Sequence, residues 1–351
     1  MKPLLILFII CSFSRLYAQD GWTLQKEIEK AMTYEVTMDT AKITGWVIGC
    51  IDGDSAWTFG YGRLSKTVKT VPDVNTIFEI GGMSKTFTAS VIHNLTEKKV
   101  LNYDGSVNTY LKPEQRFPLG NKITLLQLTT HTSGLPKLPE GFGANEFSQD
   151  QPYLTYTEGE LFEFLKTADS IDFKIGKYLY SHINHALLET IIKNTGNYAE
   201  LTQLEHNLDD STYAHAQGYN PGLRPVPYWR FGETFRFSLG MKSNMNDILD
   251  FLKVQMNIKN KTSDKSLSET QKAVFKTDID KYTSVGKLWH ILKVSKFVNV
   301  CLQSGATNGQ SAFVAFVPET KTAVVILANT RLVQGKLGMM ILKMLNYNWK
   351  R

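Results

Sequence analysis

The stretch Phe78-Glu79-Ile80-Gly81-Gly82-Met83-Ser84-Lys85-Thr86-Phe87-Thr88 decides the fold. Lys85 to Lys99 reads as a helix, because Phe87, Val91 and Leu95 make an i, i+4 apolar stripe. On such a helix positions 82 and 85 lie about 60° apart and one turn along, so their side chains share a face. A side chain at the earlier position would therefore lie within reach of the lysine amine. Residue 82, however, is glycine. Ser84 is no substitute: it lies about 200° round the helix from position 82 and reads as a packing or surface serine. Gly82 itself reads in two ways, as a glycine relaxing the turn at the helix start or as a vacated side-chain position facing Lys85.

Outward from this segment, strands gather at the two ends of the chain and helices in the middle. Trp46 to Ile51 and Ala56 to Tyr61, joined by Asp52-Gly53-Asp54-Ser55, read as a β-hairpin. Val298 to Leu302, Ala312 to Phe316 and Thr322 to Leu327 read as strands, followed by a helix carrying Leu337, Met340, Ile341, Met344 and Leu345 on one face. Between them, helices are expected at Ile123 to Thr132, Glu158 to Ala168 and Ala186 to Asn194, the last stopped by Gly196. A further helix, capped by Ser243 or Asn244, contains Ile248, Leu249, Phe251 and Leu252, and Ser266-Leu267-Ser268-Glu269 has capping-box spacing. This segregation predicts an α/β (α+β) fold: a mostly antiparallel sheet formed by both termini, flanked by helices, with an inserted helical lobe. The expected organisation is a leader over 1–19 and a single domain over 20–351, its α/β lobe about 20–80 plus 285–351 and its helical lobe about 81–284.

The composition of the 351 residues, 42% hydrophobic and 21% charged, suits a large folded core. The net charge is +6 and the basic residues are scattered, which argues against a nucleic-acid partner. Lys2, the apolar run Leu4 to Phe13 and Tyr17-Ala18-Gln19 read as a cleavable secretory signal, too short to span a bilayer, so a secreted or periplasmic protein is expected. Bulky Ile10 argues against lipid attachment at Cys11. The other two cysteines, Cys50 and Cys301, sit in apolar runs and read as buried free thiols.

Three motifs carry chemistry. Besides Gly82-x-x-Lys85 there are Tyr180-Ser181-His182 and Gln303-Ser304-Gly305-Ala306. With the loop Leu128 to Pro136, the pairs Ala216-Gln217-Gly218-Tyr219 and Ser238 to Ser243, and the run Gln303 to Gly309 continuing to Phe316-Val317-Pro318-Glu319, they resemble the serine β-lactamase and penicillin-binding protein superfamily, class C β-lactamases especially. The resemblance covers essentially the whole chain beyond the leader. It implies that Lys85 and Tyr180 hold catalytic positions, Tyr180 as a proton shuttle. It implies likewise that Gly82, His182, Gln303, Ser304, Gly305 and Ala306 line a substrate-binding cleft between the two lobes. Each motif departs from the family: Gly82 replaces the serine, His182 the asparagine, and Gln303 the lysine or histidine that attracts a substrate carboxylate. Loss of a hydrolase nucleophile lowers turnover by on the order of 10⁶.

The sequence therefore predicts a non-catalytic or strongly impaired homologue of serine acyl hydrolases that binds a small-molecule, peptide or acyl ligand in the cleft. The alternative is a divergent amide or ester hydrolase using Lys85 and Tyr180, with His182, to activate water. No cofactor is called for. His182, His185 and Glu189 lack a recognised metal-ligand spacing, so no metal is expected. His131 and Ser133 read as parts of a structural turn rather than a base and nucleophile.

Overall fold

The structure is a computed structural model that describes residues 21–34, 44–142, 151–167, 174–206, 211–258 and 265–346. The segment 1–19 read as a leader, Cys11 included, lies outside the described residues. The chain runs α1 (Gly21–Tyr34), β1 (Gly45–Asp52), β2 (Ser55–Gly62), β3 (Phe78–Glu79), α2 (Ser84–Glu97), α3 (Leu125–Thr129), α4 (Glu158–Thr167), α5 (His182–Asn194), α6 (Ala199–Thr202) and α7 (Arg236–Leu239). It continues through β4 (Lys242–Ser243), α8 (Met245–Gln255), β5 (Phe275–Lys276), β6 (Thr283–Val285), β7 (His290–Lys293), β8 (Asn299–Ala306), β9 (Ser311–Val317), β10 (Thr322–Ala328) and α9 (Gly335–Leu345).

Eight strands form one sheet in the order β2-β1-β10-β9-β8-β7-β6-β5, and every pairing in it is antiparallel. The hairpin expected around Asp52–Ser55 is present: Asp52 pairs with Ser55, and Gly53 takes φ 57 in the two-residue turn. N-terminal β1 lies against C-terminal β10, so both ends of the chain build the centre of the sheet. The central strands are buried on both faces, which explains their near-continuous apolar sequences. On β10, Ala323, Val325 and Leu327 join the core shared with the helical lobe. Val324, Ile326 and Ala328 alternate with them and face Leu24, Ile28, Leu337 and Ile341 of α1 and α9. The Met-rich stripe of α9 thus packs on the sheet as its spacing predicts. Cys50 and Cys301 are free and buried. No helix among the described residues is long and apolar enough to cross a membrane.

The helical lobe shows where local signals fail. Helix α5 begins at His182, four residues before the first residue of the apolar pattern, because Ser181 caps it by accepting the Asn184 N–H at 3.1 Å. The capping-box spacing at 266–269 forms only a 3₁₀ segment, Lys265–Gln271. The expected helix over Ile123 to Thr132 shortens to α3, with Thr124 and Gln127 making the capping box. Helix α2 is buried on almost every side, Ser84 to Ala89 entirely, so it is the axis on which the lobe is assembled.

Candidate functional site

Gly82 does not lie on α2. It sits in a 3₁₀ turn, Gly81–Met83, that leads into the helix. The tighter turn brings residues three apart closer to eclipse than an α-helix does, so positions 82 and 85 still share a face. The need for glycine falls on its neighbour: Gly81 has φ 51, and a Cβ there would stand 2.6 Å from the Ala306 N. Gly82 has no positive φ; a Cβ on it would meet the Ser304 O at 3.0 Å and the Tyr180 Oη at 3.2 Å. The turn-relaxing reading therefore belongs to Gly81, and the side-chain direction at 82 points at the phenol of Tyr180. Ser84 is fully buried and donates to the Gly81 O at 2.6 Å, so it is a packing serine within the turn.

Lys85 is fully buried, and its Nζ donates to the Ser238 O at 2.7 Å. Burial, reinforced by nearby Lys137, holds its amine down at about 7. The Nζ stands 5.3 Å from the centre of the Tyr180 ring. Tyr180 is gripped by three imidazoles: His131 at 4.7 Å between ring centres, His182 edge-on at 5.3 Å and His290 stacked at 6.5 Å. Burial first, then Tyr178 and Tyr153, pushes its phenol above the ordinary range. A phenol held that way is a hydrogen-bond donor at neutral pH and a poor base. His182 bonds the Ser238 Oγ through Nδ1 at 3.2 Å, and burial followed by Lys85 and Lys137 keeps it well below its usual pKa. It is accordingly neutral.

Gln303 is buried on β8, one residue beyond Leu302, which pairs with His290 at the start of β7. Its amide donates to the Leu288 O at 3.2 Å, and its Oε1 accepts the Ser304 N–H at 3.0 Å. The position that carries a cation in the resembling family is thus neutral and tied into its own strand. Ser304 is exposed. Gly305 is required by close approach: a Cβ there would lie 2.0 Å from the Ile80 O and 2.5 Å from the Gly82 N.

The backbone of β8 turns a donor toward the same point. Thr307 donates its N–H to the Gln310 O at 2.9 Å across the tight turn into β9. Hydrogen-bonded pairs alternate along an antiparallel ladder, so Ala306↔Ser311 and Ser304↔Phe313 are non-bonded pairs. Their backbone groups therefore face away from β9, past the end of β7, toward the 81–83 turn. The Ala306 N–H beside the first N–H groups of that turn makes a pair of backbone donors with Lys85 and Tyr180 close by. Such a pair stabilises negative charge on a carbonyl oxygen.

The structure thus brings Gly82, Lys85, Tyr180, His182, Ser304, Gly305 and Ala306 around one point, with Gln303 behind the strand edge. The sequence reading missed His131, Ser238 and His290. His131 does belong to a turn (φ 55, Nδ1 accepting the Ser181 N–H at 3.2 Å), but that turn backs the Tyr180 ring. Ser133 bonds Asn184 at 2.6 Å and stands apart. The Leu128 to Pro136 motif was the available signal for His131; a lone histidine starting a strand gave none for His290. His185 bonds Thr88 at 2.9 Å, and Glu189 bonds Tyr198 and the Phe237 N–H, so they serve separate partners. A cavity of about 620 Å³ opens beyond Tyr178, between Gly134–Glu140 and Lys174–Leu179, and is not lined by Gly82.

Residues 26–337 match the family described as β-lactamase. The chain is 25% identical over 378 residues to a β-lactamase from Providencia stuartii, spanning 92% of this chain and 91% of that one. It is 29% identical over 212 residues to penicillin-binding protein 4* of Bacillus subtilis, spanning 58% and 44% respectively. Among solved structures, a class C β-lactamase superposes with a TM-score of 0.77 at 22% identity, over 95% of this chain and 99% of that one. A β-lactamase/D-alanine carboxypeptidase from Pseudomonas syringae does so with a TM-score of 0.77 at 21% identity, over 93% and 99%.

Proposed function

The chain belongs to the β-lactamase family, and from that premise we propose that it is a secreted, non-catalytic or strongly impaired homologue of the serine acyl hydrolases that binds a peptide or acyl ligand in its cleft. The observation that carries this reading is Gly82: no side chain stands where the family's serine would, and nothing in its backbone conformation calls for glycine. Two further features support it. Gln303 leaves the strand edge without a cation, and Tyr180 is held as a neutral phenol. What remains is a recess with two backbone donors, suited to a carbonyl oxygen, and the outer edge of β8, where the Ser304 N–H is taken by the Gln303 Oε1 and an extended acyl or peptide chain can bond at Ala306. In this reading Lys85 and Tyr180 keep catalytic positions without catalysis, and Gly82, His182, Gln303, Ser304, Gly305 and Ala306 line the ligand site. The apolar leader supports export.

Intact mass of the mature protein and of Gly82→Ser, after exposure to benzylpenicillin, tests the proposal. No adduct on the native chain is expected; a stoichiometric acyl adduct on it would overturn the reading. A second reading has its own observation. The Lys85 amine at about 7 is partly neutral at physiological pH and can accept a proton from water. Steady hydrolysis without an adduct, abolished in Lys85→Met, would establish that divergent hydrolase instead.

A further inference from the structure

Glu79 lies three residues before Gly82, is 1% exposed, and takes no part in the site just described. A buried carboxyl is costly unless its oxygens are satisfied. Both are. One accepts the Trp229 N–H at 2.8 Å and the other accepts the Thr307 hydroxyl at 2.7 Å. The backbone of the same residue is tied as well, since the Glu79 N–H donates to the Gln310 Oε1 at 2.8 Å. Gln310 in turn donates through Nε2 to the Ala216 O at 2.8 Å. Thr307 and Gln310 are the two ends of the turn between β8 and β9, closed by the Thr307 N–H to Gln310 O bond. Residue 79 therefore grips that turn at both ends, immediately after Ala306, and is itself joined to Gly82 by three peptide units.

We propose that Glu79 is a positioning residue whose carboxyl sets the spacing between the Gly82 and Ala306 N–H groups. The proposal rests on the reading that this donor pair receives the ligand's carbonyl. Its physical content is that two strands of different origin supply the two donors. One donor follows β3 and the other ends β8, more than two hundred residues later in the chain. Packing alone places such elements to within a side chain's slack, whereas a pair of donors needs tighter placement. A single carboxyl bonded to the 216–229 segment on one side and to Thr307 on the other removes that slack. The ionisable groups facing Glu79 are Lys242, its partner on β4, and Tyr228 from the 216–229 segment. Burial outweighs the Thr307 and Trp229 hydrogen bonds and Lys242, and lifts the carboxyl to about 7. Its protonation changes the strength of both acceptor bonds, so the grip on the β8–β9 turn carries a spectroscopic signature.

The test follows the Ala306 and Gly81 amide resonances of the mature protein, labelled with ¹⁵N at Ala and Gly, from pH 5.5 to 8.5, both chosen as about 1.5 units to either side of the carboxyl. Ala306 is expected to titrate with a midpoint near that of Glu79. Lys85 titrates in the same range, so the deciding comparison is between two variants. The Ala306 titration is expected to survive Lys85→Met and to vanish in Glu79→Gln, which keeps the shape and an acceptor. In Thr307→Val it is expected to vanish at Ala306 and persist at Gly81; that variant decides the matter should Glu79→Gln fail to fold. An Ala306 shift that is flat in the native protein, or that titrates unchanged in Glu79→Gln or Thr307→Val, would overturn the proposal. None of these readouts needs a ligand, so failure of the ligand-binding reading and failure of this one remain distinguishable.

Discussion

At position 82 the missing side chain is recorded in the distances around it. A Cβ would sit 3.0 Å from the Ser304 O and 3.2 Å from the Tyr180 Oη, so a restored side chain must displace something. The phenol end of Tyr180 can swing, but the carbonyl belongs to β8. Gly82→Ala is therefore expected to destabilise by about 1 kcal/mol, the overpacking loss exceeding the gain from a less flexible unfolded chain. Tyr180→Phe should recover part of it, giving a coupling of about 0.5–1 kcal/mol in a double-mutant cycle read by urea unfolding. Additivity of the two substitutions would show that the phenol does not crowd the site. Lys85 makes a second residue-scale prediction. Its amine falls from the unfolded value of about 10.4 to about 7 in the fold. Between those values the unfolded chain binds more protons, so this group makes native stability rise with pH across that window and exerts its full penalty below it. Lys85→Met should thus flatten the slope above neutrality. Its stability relative to the native protein should be most favourable below pH 7 and decline toward pH 10. A difference that stays constant with pH would show that Lys85 is not held neutral by burial.

Elements, rather than residues, explain what could be read in advance. The hairpin β1–β2, strands β8 to β10 and helix α9 were legible because their periods of two or 3.6 are set by one buried face or two. The start of α5 was not, since a polar cap, Ser181, extends the helix ahead of its apolar pattern and so makes His182 a helical residue. Gly82-x-x-Lys85 was legible as a shared face even though the turn is 3₁₀, because both helix types bring positions three apart together. His182 was legible beside Tyr180 as part of one motif, but His131 and His290 were not, because they come from separate parts of the chain that only tertiary packing brings to the Tyr180 ring. The same distinction separates two glycines. Gly305 lets β8 lie directly on the 81–83 turn, where a Cβ would be 2.0 Å from the Ile80 O. Gly305→Ala is expected to destabilise by at least about 2 kcal/mol, since backbone, not a flexible side chain, must move. Gly159 in α4 meets nothing closer than 3.8 Å, and Gly159→Ala should stabilise by about 0.5–1 kcal/mol. Thermal unfolding of the two variants tests the pair; equal effects would mean that β8 is not seated on the turn by its glycine.

Across the whole molecule, the sheet and its two apolar faces carry the fold, while the helical lobe encloses ionisable groups around α2 and α5 with few charges to match them. His131, His182 and His185 are held well below their usual pKa by burial first, so their contribution to stability is lost as pH falls below the unfolded value of about 6.5. Glu189 works in the opposite sense. It is buried on α5, accepts from the Tyr198 hydroxyl at 3.1 Å and the Phe237 N–H at 3.3 Å, and has Lys193 at 3.8 Å. Burial outweighs those partners and lifts its carboxyl from 4.5 to about 7. Between those values the native state holds the extra proton, so this group's contribution falls as pH rises and its penalty is complete above about 7. Glu189→Gln keeps an acceptor for the Phe237 N–H, and the Tyr198 hydroxyl can turn to accept from the new amide. Urea midpoints at pH 4.5 and pH 8, values taken at about the unfolded and just above the folded pKa, should therefore favour the variant at the higher pH relative to the native protein. The difference should be on the order of 1–3 kcal/mol. The histidines are common to both proteins and cancel in that difference. A variant whose deficit is the same at both pH values would show that Glu189 is ionised in the fold throughout, stabilised by Lys193 despite its burial.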